Sequence, residues 1–354
     1  MYHSALIFCC WVAVLLPFPW HLLAFQQHML PEIFGAGLYR SDSAAQAVLY
    51  AACAGAGFLC ALLLLRISTE RRSVVVGLLR SLLLCYLAAV LARYGADKIL
   101  KIQFYLPEPT TLYTNFGDLE KDTLYWSTLG TSRPYNLFLG TAELFAALLL
   151  LFRRTRRGGL LLALTVFIQV LAVDVCFGIG VQLFSGFLLL LTVLLLAPDA
   201  RNWLDFFLGR GAAAVAGDAP ATRVVRKYGV MLLIAVEAAW PLLQGKPWND
   251  DAALRPPLHG AYQIEWQSPA SLLPRASMAF VHRAGYLVLK DGATMHPYQL
   301  RTDTAGSELR LLMNGQWKAI RYEAGGDSTL TLFYNNLPVL RSKALNWRAL
   351  PALK

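Results

Sequence analysis

The side chains in this sequence that could do chemistry are charges set among apolar residues. Arg93, Tyr94, Asp97, Lys98, Lys101 and Gln103 crowd the end of one apolar run. Arg93, Asp97 and Lys101 fall four apart, so a helix carries them on one face, where Arg93 can pair with Asp97. Tyr94 and Lys98 share the neighbouring face. Further charges, Arg80, Glu143, Asp174 and Glu237, stand singly inside apolar segments. A charge at the middle of a lipid-spanning helix costs about 2.5–3.5 kcal/mol on insertion scales, so each needs a partner or a task.

The segments that must position these residues are legible from composition. Of 354 residues, 56% are hydrophobic and only 15% charged, with a mean hydropathy of +0.46. Soluble domains carry about 25% charged residues, so the deficit points to membrane spans. Seven are expected: Ala5–Phe25, with Trp20 and His21 at its interface; Ala44–Leu65; Val74–Ala92, its helix running on through Lys101; Tyr135–Phe152; Gly158–Cys176; Leu183–Ala197; and Tyr228–Gln244. Small residues recur every fourth position in the second span, as Ala47, Ala51 and Gly55 on one face and Gly57 and Ala61 on another, a spacing that lets helices approach closely in lipid.

The net charge of +10 sits mostly in short clusters beside these runs. That distribution argues for topology and against nucleic-acid binding. The connections Arg66–Ser73, Arg153–Arg157 and Pro198–Lys227 carry three, four and five Lys/Arg, whereas Gln26–Ser43 and Gly178–Gln182 carry one and none. Basic loops stay in the cytoplasm, so the N-terminus is expected inside and everything after Gln244 outside.

Depth then follows from a rise of about 1.5 Å per residue. Arg80 falls roughly 10 Å, Glu143 roughly 13 Å and Glu237 roughly 15 Å from the cytoplasmic edge. Two clusters are expected: Arg80 with Glu143 and Glu237 at mid-depth, and Arg93, Tyr94, Asp97, Lys98 and Gln103 facing Asp174 at the outer mouth. Either is a helix-pairing salt bridge or a polar pocket for a quinone-like or other small head group.

Other chemistries find little footing. Spans two to seven hold no histidine for axial haem ligation, and the six histidines are scattered, so no metal site is expected. The six cysteines, Cys9, Cys10, Cys53, Cys60, Cys85 and Cys176, form no Cys-x-x-Cys pair and read as small buried hydrophobes. No dinucleotide, phosphate-loop or nucleophile-elbow motif occurs, and no cofactor motif is evident.

After Gln244 the pattern changes. Runs such as Tyr262–Trp266, Tyr286–Leu289 and Thr329–Tyr334 alternate with the turn signals Asp291-Gly292, Asn314-Gly315, Gly325-Gly326 and Asn335-Asn336. About eight short strands in an antiparallel barrel or sandwich are expected. His259-Gly260-Ala261-Tyr262 resembles the Gly-x-Trp opening of lipocalin-type barrels. The alanine- and glycine-rich Ala212–Ala221 reads as a linker.

Several motifs in the middle of the chain resemble a bacterial branch of the DoxX-like membrane proteins. They are Arg93-Tyr94-Gly95-x-x-Lys98, Gln103-Phe104-x-x-Pro107, Tyr125–Gly130, Tyr135–Glu143, Leu149–Thr155, Asp174-Val175 and Leu195–Asp199. The resemblance covers about Arg80–Arg201 and implies a four-helix transmembrane core, here spans three to six. Some members are described as subunits of quinone-linked oxidoreductases. It singles out Tyr94, Lys98, Gln103, Glu143 and Asp174. The sequence departs from the branch at Ala172, where an asparagine is usual, and at Cys176–Gln182, where a Pro-Val-Lys is usual.

The fold expected is therefore a membrane all-α bundle of about seven spans with a four-helix DoxX-like core, followed by a small all-β domain. Its parts are residues 1–73 (two spans), 74–201 (core), 202–244 (cytoplasmic linker and seventh span) and 245–354 (extracytoplasmic β domain). The function expected is a membrane subunit or quinone-interacting partner of a redox complex in the bacterial inner membrane, rather than a complete enzyme. Its partners would be the lipid bilayer and a membrane or periplasmic redox protein. Two alternatives are a membrane-tethered module that binds or transports lipid or another apolar ligand, and a non-catalytic scaffold.

Overall fold

In the computed structural model the described residues are 2–15, 42–200, 203, 205, 208, 222–245, 248–269, 271–303, 307–326 and 328–354. Trp20, His21, nearly all of the Gln26–Ser43 connection and the linker Ala212–Ala221 lie outside them. The chain divides into two compact units, Met1–Gln103 with Pro134–Trp248, and Phe104–Arg133 with Asn249–Lys354. The segment 104–133, expected within the core 74–201, thus belongs to the same unit as the β domain.

The first unit is helical. Its elements are α1 (Tyr2–Leu15), α2 (Ala44–Leu65) and α3 (Thr69–Ile99), followed after the excursion to the second unit by α5 (Arg133–Leu151), α6 (Arg156–Phe177), α7 (Gln182–Leu196) and α8 (Thr222–Leu243); α4 (Lys121–Thr131) belongs to the second unit. Among the described residues, five helices are long and apolar enough to cross a membrane: α2, α3, α5, α6 and α7 with the turn that extends it to Asp199. The first and last expected spans contain shorter apolar helices, Tyr2–Leu15 and Ile234–Leu243.

Local chemistry sets the helix ends. Ser43 caps α2 by accepting from Gln46 N–H at 3.1 Å, and the Gln46 side chain returns the favour to Asp42 N–H at 3.0 Å. Asp42 also accepts from the first backbone amides of α7, Gln182 N–H at 2.9 Å and Leu183 N–H at 2.8 Å. Gly178, left-handed at φ +69°, ends α6. Of the two small-residue faces in α2, Gly57 and Ala61 are buried. A Cβ on Gly57 would lie 2.8 Å from the Phe8 backbone nitrogen of α1, whereas Gly55 has nothing within 4 Å. Close packing therefore uses one of the two faces.

The second unit is a closed barrel of eight antiparallel strands, each paired with its sequence neighbour and β1 with β8. The strands are β1 (Gly260–Gln267), β2 (Met278–His282), β3 (Tyr286–Asp291), β4 (Thr294–Asp303), β5 (Glu308–Met313), β6 (Gln316–Ala324), β7 (Thr329–Tyr334) and β8 (Leu337–Leu345). Asn314-Gly315 and Asn335-Asn336 make two-residue hairpins with positive φ at both positions, as the right-handed twist of the strands demands. Alternate residues point inward, and Tyr262, Val281, Leu289, Leu311, Ile320 and Leu332 with their neighbours fill the interior.

Outside the barrel, the segment from 104 covers the face of β1–β3. Leu106, Leu112 and Tyr113 pack on Ala261, Phe280 and Val288, with Trp347 beside them. Phe104 in turn stacks near Trp126 of α4, with ring centroids 5.1 Å apart.

Candidate functional site

The polar site of the helical unit begins at a glycine crossing. A Cβ on Gly95 of α3 would lie 2.7 Å from Gly140 O of α5, and one on Gly140 would lie 2.5 Å from Gly95 O. Gly95 also meets Leu144, and Gly140 meets Ile99, so the two helices run antiparallel. Lys98 and Glu143 each follow their glycine by three residues. Helical side chains lean toward their own N-termini, so in an antiparallel pair these two lean toward each other. Lys98 Nζ donates to both oxygens of Glu143, at 2.8 and 2.9 Å. Both residues are buried, at 5% and 4% exposure.

The surroundings add aromatic and ionic partners. Lys98 Nζ lies 5.2 Å from the centroid of the Tyr94 ring. Arg93 Nε donates to both oxygens of Asp97, at 3.1 and 3.0 Å, which is the intrahelical pair the spacing predicts. Helix α3 stops at Ile99, short of Lys101, which is left-handed at φ +57°. Its end is closed by Ile102 and Gln103, whose amides donate to Asp97 O at 2.8 and 3.1 Å. Lys101 therefore leaves the face shared by Arg93 and Asp97.

The expected clusters are re-sorted. Glu143 pairs with Lys98 and not with Arg80. Equal counting from the cytoplasmic ends fails because the crossing places Gly95, twenty-one residues beyond Val74, against Gly140, twelve before Phe152. That offsets the two helices by about 14 Å. Arg80 Nη2 instead donates to Leu195 O at 3.0 Å, one of the last carbonyls of α7, which have no helical donor. Lys98 turns its ammonium to Glu143. The Asp174 backbone carbonyl accepts from the Gln182 side-chain amide at 3.4 Å, and its Oδ2 is buried with no hydrogen-bond partner among the described residues.

Glu237 is 2% exposed on α8, which packs on α3, and Arg93 is the charge acting on it most strongly. Its Oε2 and Arg93 Nη1 are both buried without hydrogen-bond partners among the described residues. Pro241 has no N–H to offer the Glu237 carbonyl, so the backbone is also short of a donor there. An unpaired buried polar atom costs free energy, so a donor and an acceptor left open together form a place where a polar head group gains hydrogen bonds.

A second charged cluster, missed in the sequence, lies in the barrel unit. Glu108 is 5% exposed and precedes the helical turn Pro109–Leu112. Its Oε1 forms an ion pair with Arg283 Nε at 2.5 Å, and its Oε2 faces His259 Nε2 at 2.9 Å, with His282 Nε2 at 3.8 Å. Asp250 bonds Arg283 Nη1 at 2.8 Å, Arg255 Nη2 at 2.9 Å and Leu106 N–H at 2.9 Å. Burial alone would raise the Glu108 pKa, but the His259 hydrogen bond and the Arg283 charge beside it outweigh this and hold it below the ordinary carboxylate range. Asp250 is likewise lowered, burial being overcome by Arg255, the Leu106 amide and Arg283. The partners of Glu108 lie 151 to 175 positions away in sequence, beyond any local motif; a lone acid framed by Pro107 and Pro109 was the available signal.

Fold and sites together define a bundle of membrane-crossing length joined to a closed eight-stranded barrel. No family model matches the chain, and no solved structure matches it. Over 85 residues, 24% of the chain, it is 35% identical to the uncharacterized protein YwoB of Bacillus subtilis (strain 168). That match spans about half of the relative's length, 55%.

Proposed function

We propose that this chain is a DoxX-like multipass protein of the bacterial inner membrane, with its N-terminus in the cytoplasm and its barrel in the periplasm. Its bundle serves as the membrane subunit or quinone-interacting partner of a redox complex. The observation that carries this reading is the buried Lys98–Glu143 pair at the Gly95/Gly140 crossing. Tyr94, Lys98 and Glu143, three of the five residues the resemblance singles out, meet there. An intramembrane ionisable group is by default a functional one.

The donor set suits a quinone. Arg93 and Lys98 offer N–H groups to a carbonyl oxygen, and Glu143 and Glu237 offer acceptors to a hydroxyl. A bound quinone would supply reversible two-electron chemistry. The protein's own residues would hold its head group, exclude water and accept or return a proton at a carboxylate oxygen. Capture of an apolar ligand by the barrel has less support, because leucines and tyrosines already fill its interior.

Purification of the full chain in mild detergent tests the reading. Co-purified quinone together with a redox partner supports it. A protein that emerges alone and free of quinone, or one carrying lipid in place of quinone, refutes it.

A further inference from the structure

We propose that the segment Leu106–Leu112 is an acid-released strap on the barrel, with His282 as the group that receives the proton. Arg283 of the β2–β3 turn ties the strap to the hairpin, alongside His259 on Glu108 and Asp250 on the Leu106 amide. Arg283 binds Glu108 through Nε at 2.5 Å and Asp250 through Nη1 at 2.8 Å, and stacks over the Tyr105 ring at 4.4 Å. Glu108 and Asp250 lie on the two segments by which the chain enters this unit, Phe104–Arg133 and the residues from Asn249. A single guanidinium therefore ties both to the same hairpin.

His282 stands beside Arg283 in that turn. Its Nδ1 accepts from Ala284 N–H at 3.0 Å, while His282 O accepts from Gly285 N–H at 3.1 Å. An Nδ1 that accepts carries no proton, so the turn as folded requires the neutral ring with its proton on Nε2. Protonation places an N–H at Nδ1 against the N–H of Ala284, and the two donors repel. The turn must open, and Arg283 moves with it.

The groups facing His282 set the sense of the response. Burial lowers its pKa most; the Glu108 carboxylate, 3.8 Å away on the strap, opposes this; and Arg283 and His259 lower it further. The Tyr286 ring of β3 stands edge-on, 6.2 Å away, and adds no charge. The folded pKa lies below the free value of about 6.5, so the stability this group contributes is complete above about pH 6.5 and is lost as the pH falls through the folded value. Release uncovers Phe280, Ala261 and Val288, which Leu106, Leu112 and Tyr113 cover.

Hydrogen exchange of the full chain in detergent micelles, corrected for intrinsic rates, tests this at peptides spanning Leu106–Leu112 and His282–Gly285. The Leu106 amide, bonded to Asp250, is the reporter. Its protection is expected to fall progressively between about pH 7 and about pH 5. In His282→Asn, whose side-chain oxygen can still accept from Ala284 N–H without titrating, protection should stay flat over that range. A pH-independent wild-type profile, or a His282→Asn profile that still falls, overturns the proposal. Should the variant not fold, the wild-type profile decides alone.

Discussion

Removing one member of the Lys98–Glu143 pair should do far more harm than removing both. At 5% and 4% exposure the two charges have almost no water, and their bonds of 2.8 and 2.9 Å are the compensation. Lys98→Met leaves a buried carboxylate alone, and Glu143→Leu leaves a buried ammonium alone. Each is expected to cost about 3–5 kcal/mol. The double variant Lys98→Met/Glu143→Leu leaves no charge and roughly the same volume, and should lie within about 1 kcal/mol of wild type. The coupling energy of the cycle is then about 5 kcal/mol or more. Denaturant titration in mixed micelles, followed by tryptophan fluorescence and circular dichroism, measures all four proteins. Additive effects, or single variants that each cost under about 1 kcal/mol, would refute the assignment of a desolvated ion pair.

Four further outcomes are expected. In Gly140→Ala the new Cβ must move from 2.5 Å to an ordinary 3.4 Å from Gly95 O, parting α3 and α5 by about 0.9 Å, which should cost about 1–3 kcal/mol in the same titration. Asp42→Ala strips two backbone amides at the start of α7 of their acceptor and should cost about 1–2 kcal/mol, read as faster exchange at Gln182 and Leu183. Leu289→Ala, at a fully buried barrel position, should lower barrel stability by about 2–5 kcal/mol in thermal melts. Because the Glu108 and Asp250 pKa values are lowered in the folded chain, their contribution is complete above about pH 5 and is lost as the pH falls through the folded values. An acid titration of barrel unfolding should therefore steepen below about pH 4, and less so in Glu108→Gln.

Much of the architecture could be read from local rules. The strands of the barrel followed from alternation and from turn pairs such as Asn314-Gly315, because those residues tolerate the positive φ a tight hairpin needs. The apolar helices followed from hydropathy, and the Arg93–Asp97 pair from i, i+4 spacing. What local rules lack is register between helices. Counting depth from span ends put Arg80 with Glu143, whereas the contact of Gly95 with Gly140 decides which residues meet. The matching spacing, a glycine followed three residues later by a charge in both helices, was present in the sequence but gains meaning only once the helices are known to cross there. The Glu108 cluster depends on closure of the barrel and on two chain segments far apart, so no motif announced it. The end of α3 turned on Lys101 adopting a left-handed conformation that composition favours in glycine.

The most direct test of the central claim is a quinone titration of the purified full chain, read by quenching of tryptophan fluorescence, with wild type and Lys98→Met/Glu143→Leu compared side by side. The double variant, expected within about 1 kcal/mol of wild type, removes the donor and acceptor at the crossing, so with its fold verified by circular dichroism loss of binding reports the site and not unfolding. Saturable binding by wild type that is lost in the double variant is the predicted result. Equal binding by both proteins, or saturable binding by neither, would contradict it.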